Sequence, residues 1–272
     1  MKTIAIANQK GGVGKTLTTA NLGVALAQQG HRVLLVDFDP QANLSSYLGI
    51  EAPDGLELTV STLMEKEIND KLIIPENFIH RAEGVDIIPS NITLADMEDF
   101  LHNTMCRETI LRSCLTPYQD KYDYCLIDCA PALGLLLVNA LAAANKVIIP
   151  VQAQPFALQG MAKLMANIFR VQRKINPEIQ VGGIVMTMTD KVTRLSREIC
   201  QSVRETYGSK IRVFGTSIPR NEPLKVSTLA KSSIFKHDPK CPGAQAYRDL
   251  AKEVEDNGKQ QVPVRDANAL DR

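Results

Sequence analysis

The sequence predicts an α/β fold: a mostly parallel, twisted sheet with helices on both faces. Two observations carry this. Short apolar runs alternate with longer segments of helical period along most of the chain, the pattern of strands covered on both sides by crossover helices. A glycine-rich turn also stands between the first apolar run and the first helical segment, an arrangement that suits anion binding.

The elements can be justified in order. Ile4 to Ala7 reads as a first strand, followed by the glycine turn and a helix from about Lys15 to Gln29, closed by Gly30. Val33 to Val36 is a buried strand ending at Asp37, and Val85 to Pro89 and Tyr124 to Asp128 have the same character. Lys146 to Val151 and Val181 to Met188 follow, with Ile211 to Ser217 as a shorter, later strand. Helical period marks Asn91 to Leu101, Arg107 to Leu115, Gly134 to Ala144, Leu158 to Ile175, Leu195 to Tyr207 and Gln245 to Glu255. Residues 51–80 are less regular, with a helix expected near Leu58 to Glu67.

Composition narrows the function. Among 272 residues, 44% are hydrophobic and 22% charged, ordinary for a soluble globular protein. The formal net charge of +1 excludes a general polyanion-binding chain, so any nucleic-acid surface must be a local patch. Tryptophan is absent and other aromatics are few, against a single-strand stacking platform. No pair of the six cysteines has C-x-x-C spacing, and Cys125 and Cys129 are expected to point apart, so idle thiols in a reducing cytosol are the expectation. The amino-terminal apolar run, Ile4 to Ala7, is too short and too soon interrupted to be expected as a signal peptide, and no run of eighteen apolar residues exists to span a membrane.

The chemistry is concentrated in Lys10-Gly11-Gly12-Val13-Gly14-Lys15-Thr16. A glycine turn between strand and helix brings successive backbone N–H groups and the helix N-terminus to one point, where they cradle phosphate oxygens. Side chains there would block the approach. In such a loop Lys15 reaches the β- and γ-phosphates and the Thr16 hydroxyl ligates Mg2+. The cofactors expected are therefore ATP and Mg2+. The loop meets the G-x-x-x-x-G-K-[ST] pattern only loosely, because Gln9 stands in the place of its first glycine, with Lys10 directly after it. Residues 1–256 are expected to form one P-loop ATPase domain, and the polar, aperiodic stretch 257–272 a disordered tail.

The loop as a whole, with its added lysine at Lys10, carries a resemblance. Lys10 to Thr16, Val36-Asp37-Phe38-Asp39-Pro40-Gln41 and Ile127-Asp128-Cys129-Ala130-Pro131 resemble the ParA/Soj-type partition ATPases, P-loop NTPases with a deviant Walker A motif. The likeness continues through Leu133-Gly134-Leu135-Leu136, Ile149-Pro150-Val151-Gln152, Ile218-Pro219-Arg220-Asn221 and Asp238-Pro239-Lys240, over about residues 2–256. It implies that Lys10 reaches across a homodimer interface to the partner's ATP, two protomers sandwiching two nucleotides. A lysine suits this as a point charge on a long stem. It implies that Asp39 orients the attacking water, that Asp128 holds Mg2+ through water, and that Asp37 supports the metal shell. Gly11, Gly12, Val13, Gly14, Lys15, Thr16 and Leu17 would line the phosphates. Pro219, Arg220 and Asp190, the last from Thr187-Met188-Thr189-Asp190, would lie near adenine, though Arg220 and Asp190 equally fit an ordinary surface ion pair.

The chain departs from the family pattern at several places. Leu17 replaces a second hydroxyl that contacts the α-phosphate, a loss of about 1 kcal/mol. The segment after Asp128 reads Cys129-Ala130-Pro131-Ala132 where the family has Cys-Pro-Pro-Ser. Val192 and Pro223 stand where relatives carry DNA-binding arginines, while Lys191, Arg194, Arg197, Lys225, Lys231 and Lys236 lie near. These six fit a displaced patch for nonspecific double-stranded DNA, and they also fit a merely solvated basic face. The resemblance implies a cytoplasmic, nucleoid-associated switch for DNA segregation whose slow hydrolysis is stimulated by a ParB-like partner. A MinD-like membrane cycle would need a basic amphipathic carboxyl-terminal helix, and Gln260 to Arg265 is polar and broken by Pro263, so no membrane is expected. An iron–sulfur carrier of the same fold would need a further cysteine in Cys241-Pro242-Gly243-Ala244.

Overall fold

The computed structural model describes residues 1–155, 161–190 and 192–256. The described residues form eight strands: β1 (Lys2–Ile6), β2 (Val33–Phe38), β3 (His80–Ala82), β4 (Val85–Ile88), β5 (Tyr124–Cys129), β6 (Lys146–Gln152), β7 (Gln180–Thr189) and β8 (Val213–Pro219). They make one sheet in the order β3-β4-β2-β5-β1-β6-β7-β8. Every pairing is parallel except β3 with β4. The helices are α1 (Lys15–Gln28), α2 (Asn43–Tyr47), α3 (Val60–Ile68), α4 (Met97–His102), α5 (Ile110–Leu115), α6 (Leu135–Ala143), α7 (Met161–Lys174), α8 (Arg194–Tyr207), α9 (Glu222–Leu229), α10 (Ile234–His237) and α11 (Pro242–Asp256).

The strands read as continuous apolar runs because both faces are covered. Side chains alternate between two separate clusters. Ala5, Val36, Ile127 and Ile149 pack with residues of α3, α5, α6 and α7. Ile4, Ile6, Leu35, Leu126 and Ile148 pack with residues of α1, α2 and α11. This is the period of two that a pleated strand imposes. Helix α1 lies close on the sheet, since a Cβ on Gly23 would meet Leu35 Cδ2 at 2.6 Å. Its end is closed by Gly30 at φ 95°. There Gly30 N donates to Ala27 O at 3.0 Å and His31 N to Leu26 O at 3.3 Å, the paired bonds of a Schellman motif.

The order of strands positions the site. β2 and β5 lie on one side of β1, and β6, β7 and β8 on the other, so the direction of winding reverses at β1. Open α/β sheets bind ligands beyond the carboxyl ends of strands at such a reversal. The register sets Ile6 beside Asp128 and Asp37 beside Asp128, bringing the glycine loop and two aspartates to one edge.

Several elements differ from the sequence expectation. Asn91 to Leu101 is divided into a 3₁₀ turn, Ile92–Leu94, and helix α4. The Asn91 amide oxygen accepts from Thr93 Oγ1 at 2.6 Å and Ser61 Oγ at 3.2 Å, side-chain bonds that compete with a continuous helix. The helix expected from Arg107 starts at Ile110, after a turn in which Thr109 N bonds Cys106 O at 2.9 Å. Cys125 and Cys129, expected to point apart, face the same cluster on β5. Four residues of extended chain still part them by about 13 Å. Among the described residues no group of three or more His, Cys, Asp or Glu side chains is placed to hold a metal. The stretch 257–272, and with it Gln260 to Arg265, lies outside the described residues, as does the start of the helix expected from Leu158. No helix among the described residues is long and apolar enough to cross a membrane.

Candidate functional site

The loop after β1 is pinned to the neighbouring strands by two side-chain bonds, one from the loop's own Asn8 and one from Thr187. Asn8 donates from Nδ2 to Pro150 O of β6 at 2.6 Å and accepts Lys10 N on Oδ1 at 2.9 Å. Thr187 Oγ1 of β7 donates to Val13 O at 2.8 Å, and Val13 itself is buried. Gly12 and Gly14 have φ of 71° and 88°, a region open to glycine at no steric cost. No atom would approach a Cβ on Gly11 or Gly12 within 4 Å, so the space above the loop is open. Lys15 is 7% exposed, and its ammonium rests on Lys10 O at 3.4 Å. Burial holds that ammonium below its ordinary pKa, and nearby Asp128 opposes the shift.

Three aspartates converge on the same edge. Asp128, at the end of β5, accepts Thr16 Oγ1 at 2.7 Å and Thr19 Oγ1 at 3.3 Å. Asp37, at the end of β2, accepts Ser45 N at 2.8 Å, Ser45 Oγ at 2.7 Å and Asp39 N at 3.4 Å. Burial pushes Asp128 up to about 8, with the neighbouring Asp37 carboxylate adding to the effect. Burial likewise pushes Asp37 up to about 7, against the bonds from Ser45. Asp39 is 8% exposed and accepts Gln41 N at 3.0 Å, which fixes the turn that leads into α2.

Two cavities meet over this edge. One, of about 580 Å³, is lined by Gly11, Gly12, Lys15, Thr16 and Asp39 among others. The second, of about 390 Å³, is lined by Asp190, Pro219, Arg220 and Asn221 among others, with apolar walls from Ile218 and Leu224. Gly14, Leu17 and Met188 line both, so the two form one continuous groove. Its dimensions and its division into a polar end and a more apolar end suit a nucleotide. Met188 has a left-handed backbone, φ 51°, and its sulfur accepts Gln152 Nε2 at 3.0 Å. Arg220 and Asp190 do not form the surface ion pair that the sequence left open. Asp190 Oδ1 instead accepts Val192 N at 2.8 Å and Thr193 N at 3.4 Å, while Arg220 N donates to Thr189 O at 2.8 Å.

The basic residues differ in their partners. Arg194 pairs with Glu198 at 2.6 Å and Lys225 with Glu222 at 2.9 Å. Arg197, Lys231 and Lys236 are exposed and make no ion pair among the described residues. Lys225 lines the second cavity and Lys231 the first. Lys191 lies outside the described residues. Asn8, Thr19 and Ser45 belong to the site without having been singled out in the sequence. They fall outside the motif, and their partners are distant in the chain or lie on another element.

The oxygen-only donor set of Thr16 and Asp128, beside an open loop and a buried lysine, fits a small divalent cation bound together with phosphate. Mg2+ takes one or two protein oxygens and fills its octahedron with water and phosphate.

Comparison with known proteins gives the class. A family model described as an AAA domain matches residues 1–181. The sporulation initiation inhibitor protein Soj of Bacillus subtilis (strain 168) is 43% identical over 257 residues, covering 94% of this chain and 99% of that protein. The chromosome-partitioning ATPase Soj of Treponema pallidum (strain Nichols) is 41% identical over 253 residues, covering 93% of this chain and 96% of that one. Among solved structures, cobyrinic acid a,c-diamide synthase from Mycobacterium smegmatis, with bound ATP analog and magnesium, aligns with a TM-score of 0.83 at 34% identity. That alignment covers 98% of this chain and 100% of the other. The chain belongs to the ParA/Soj family of partition ATPases. It is a P-loop ATPase of the DNA-segregation class.

Proposed function

We propose that residues 1–256 act as one ATPase unit that closes into a homodimer on Mg·ATP, binds double-stranded DNA nonspecifically, and releases it after hydrolysis stimulated by a ParB-like partner. The observation that carries this is the convergence of Lys15, Thr16, Asp128 and Asp39 on one open loop at the reversal of the sheet. ATP with Mg2+ is the cofactor pair.

Each residue has work suited to its place. The N–H groups of Gly11 to Thr16 cradle the phosphates, and Lys15 swings from Lys10 O to the β- and γ-phosphates. Thr16 and Asp128, already in contact, would hold the magnesium, which would supply positive charge against that of the phosphates. Asp37 acts mainly on the chain, since its carboxylate already accepts from Ser45 and Asp39. Asp39 accepts a hydrogen bond from the attacking water and orients it in line. Leu17, Pro219, Arg220 and Asp190 border the groove toward the base. Lys10 reaches the partner's nucleotide, and Arg194, Arg197, Lys225, Lys236 and Lys191 supply the phosphate-neutralising charge for DNA in the cytoplasm.

The test is a side-by-side comparison with ATP, ADP and no nucleotide. Random-sequence duplex should be retarded only with ATP, the log of its affinity falling by about 0.9 per phosphate neutralised for each tenfold rise in salt. Asp39→Ala should keep ATP binding while turnover falls by about a hundredfold. No retardation at low salt overturns the DNA reading. Retained turnover in Asp39→Ala overturns its assignment.

A further inference from the structure

The cavity over the phosphate loop has a second cation on its wall. Alongside Gly11, Gly12, Lys15 and Thr16 it is lined by Thr228 and Lys231, which come from the end of α9 and the turn after it. Lys231 is exposed and makes no ion pair among the described residues. Its backbone is left-handed, φ 47°, an unusual state for a long side chain.

That turn is tied to the helices that carry the phosphate residues. Tyr47 OH and Ser227 Oγ lie 3.0 Å apart, linking α9 to α2, the helix that follows Asp39. Ile234 N donates to Asn21 Oδ1 at 2.8 Å, linking α10 to α1, which begins at Lys15. The carboxylate of Glu83, at the tip between β3 and β4, accepts Ser233 N at 3.0 Å and the Ser233 hydroxyl. Tyr47, Ser227, Asn21 and Ser233 are all buried. A lysine on a fixed turn thus lines the same cavity as the phosphate loop.

We infer that Lys231 contacts the terminal phosphate of the nucleotide bound in its own chain and distinguishes a nucleoside triphosphate from a diphosphate. The assignment rests on ATP occupying the groove as proposed above. It removes Lys231 from the candidate DNA surface. A diphosphate lacks the outermost group, so the contact forms only in the triphosphate state.

The experiment is titration of the full chain, with Mg2+, against fluorescent ATP and ADP. Lys231→Asn is the variant of choice, because asparagine tolerates a left-handed backbone while removing the charge. Its melting curve checks that it folds. Lys231→Asn should weaken ATP about tenfold and ADP by less than about twofold, with Lys231→Arg recovering most of the ATP affinity. Unchanged affinity for both nucleotides, or equal weakening of both, overturns the inference. So does a loss of DNA retardation with nucleotide affinities intact, which returns Lys231 to the DNA surface. Wild-type protein that binds neither nucleotide overturns the groove reading itself. Lys15→Ala, expected to lose both nucleotides, separates that failure from a failure of the Lys231 assignment.

Discussion

Asp37 and Asp128 sit side by side at the ends of β2 and β5, fully buried, and each is held above the ordinary carboxylate range. In the unfolded chain both titrate near 4. Between there and about 8 the folded, metal-free protein binds more protons than the unfolded chain, so its stability falls as pH rises through that window. Thermal melts of metal-free protein should therefore show a lower Tm at pH 8.5 than at pH 5. Asp128→Asn should raise stability at pH 8.5 by on the order of 1–3 kcal/mol and change little at pH 5. A wild-type Tm that does not fall with pH sinks the argument. The motif residues were legible at this scale because glycines, lysine and threonine stand together in one short window. Asn8, Thr19 and Ser45 were not. Asn8 reaches Pro150, 142 positions away, and Thr19 reaches Asp128, 109 positions away, and no local pattern encodes such contacts.

Helix α1 links the phosphate loop to the core, and Gly23 allows its close approach to Leu35 and Leu126. Gly23→Ala gains about 1 kcal/mol of helix propensity. Its Cβ would collide with Leu35 Cδ2 at 2.6 Å, and overpacking of this kind costs about 1–3 kcal/mol. The net expectation is a lowered midpoint in denaturant unfolding with the m-value unchanged, and a raised midpoint would show that the sheet yields. Long elements, α1, α8, α11 and the central strands, were legible in the sequence within a few residues. The elements that escaped are short or broken. β3 is three residues, α10 is four, and α9 opens with Pro223 in its first turn, where proline fits a helix start yet reads in sequence as a breaker. Length, more than composition, separated the visible from the invisible.

At the scale of the whole molecule, the proposed dimer hangs on Lys10. Its backbone is fixed, the N–H by Asn8 and the carbonyl by Lys15, while its side chain makes no ion pair among the described residues. Lys10→Ala should bind Mg·ATP within about threefold of wild type, since the Lys15 contact carries the charge-assisted bonds in its own chain. Light scattering should then find it monomeric under conditions where the wild type doubles its mass. An ATP-dependent dimer of the variant would remove Lys10 from the interface. The sheet borders bear on the same association. One border is β3, three residues in reverse direction with the exposed Arg81 at its middle, and the other is β8, whose pairing slips register twice and which packs against α11. A border so short and charged, or so irregular, gives a second chain no straight ladder to extend. Copies of this protein are thereby steered away from open-ended stacking along the sheet, so the proposed closed pair at the loop end would have little competition from a growing fibre.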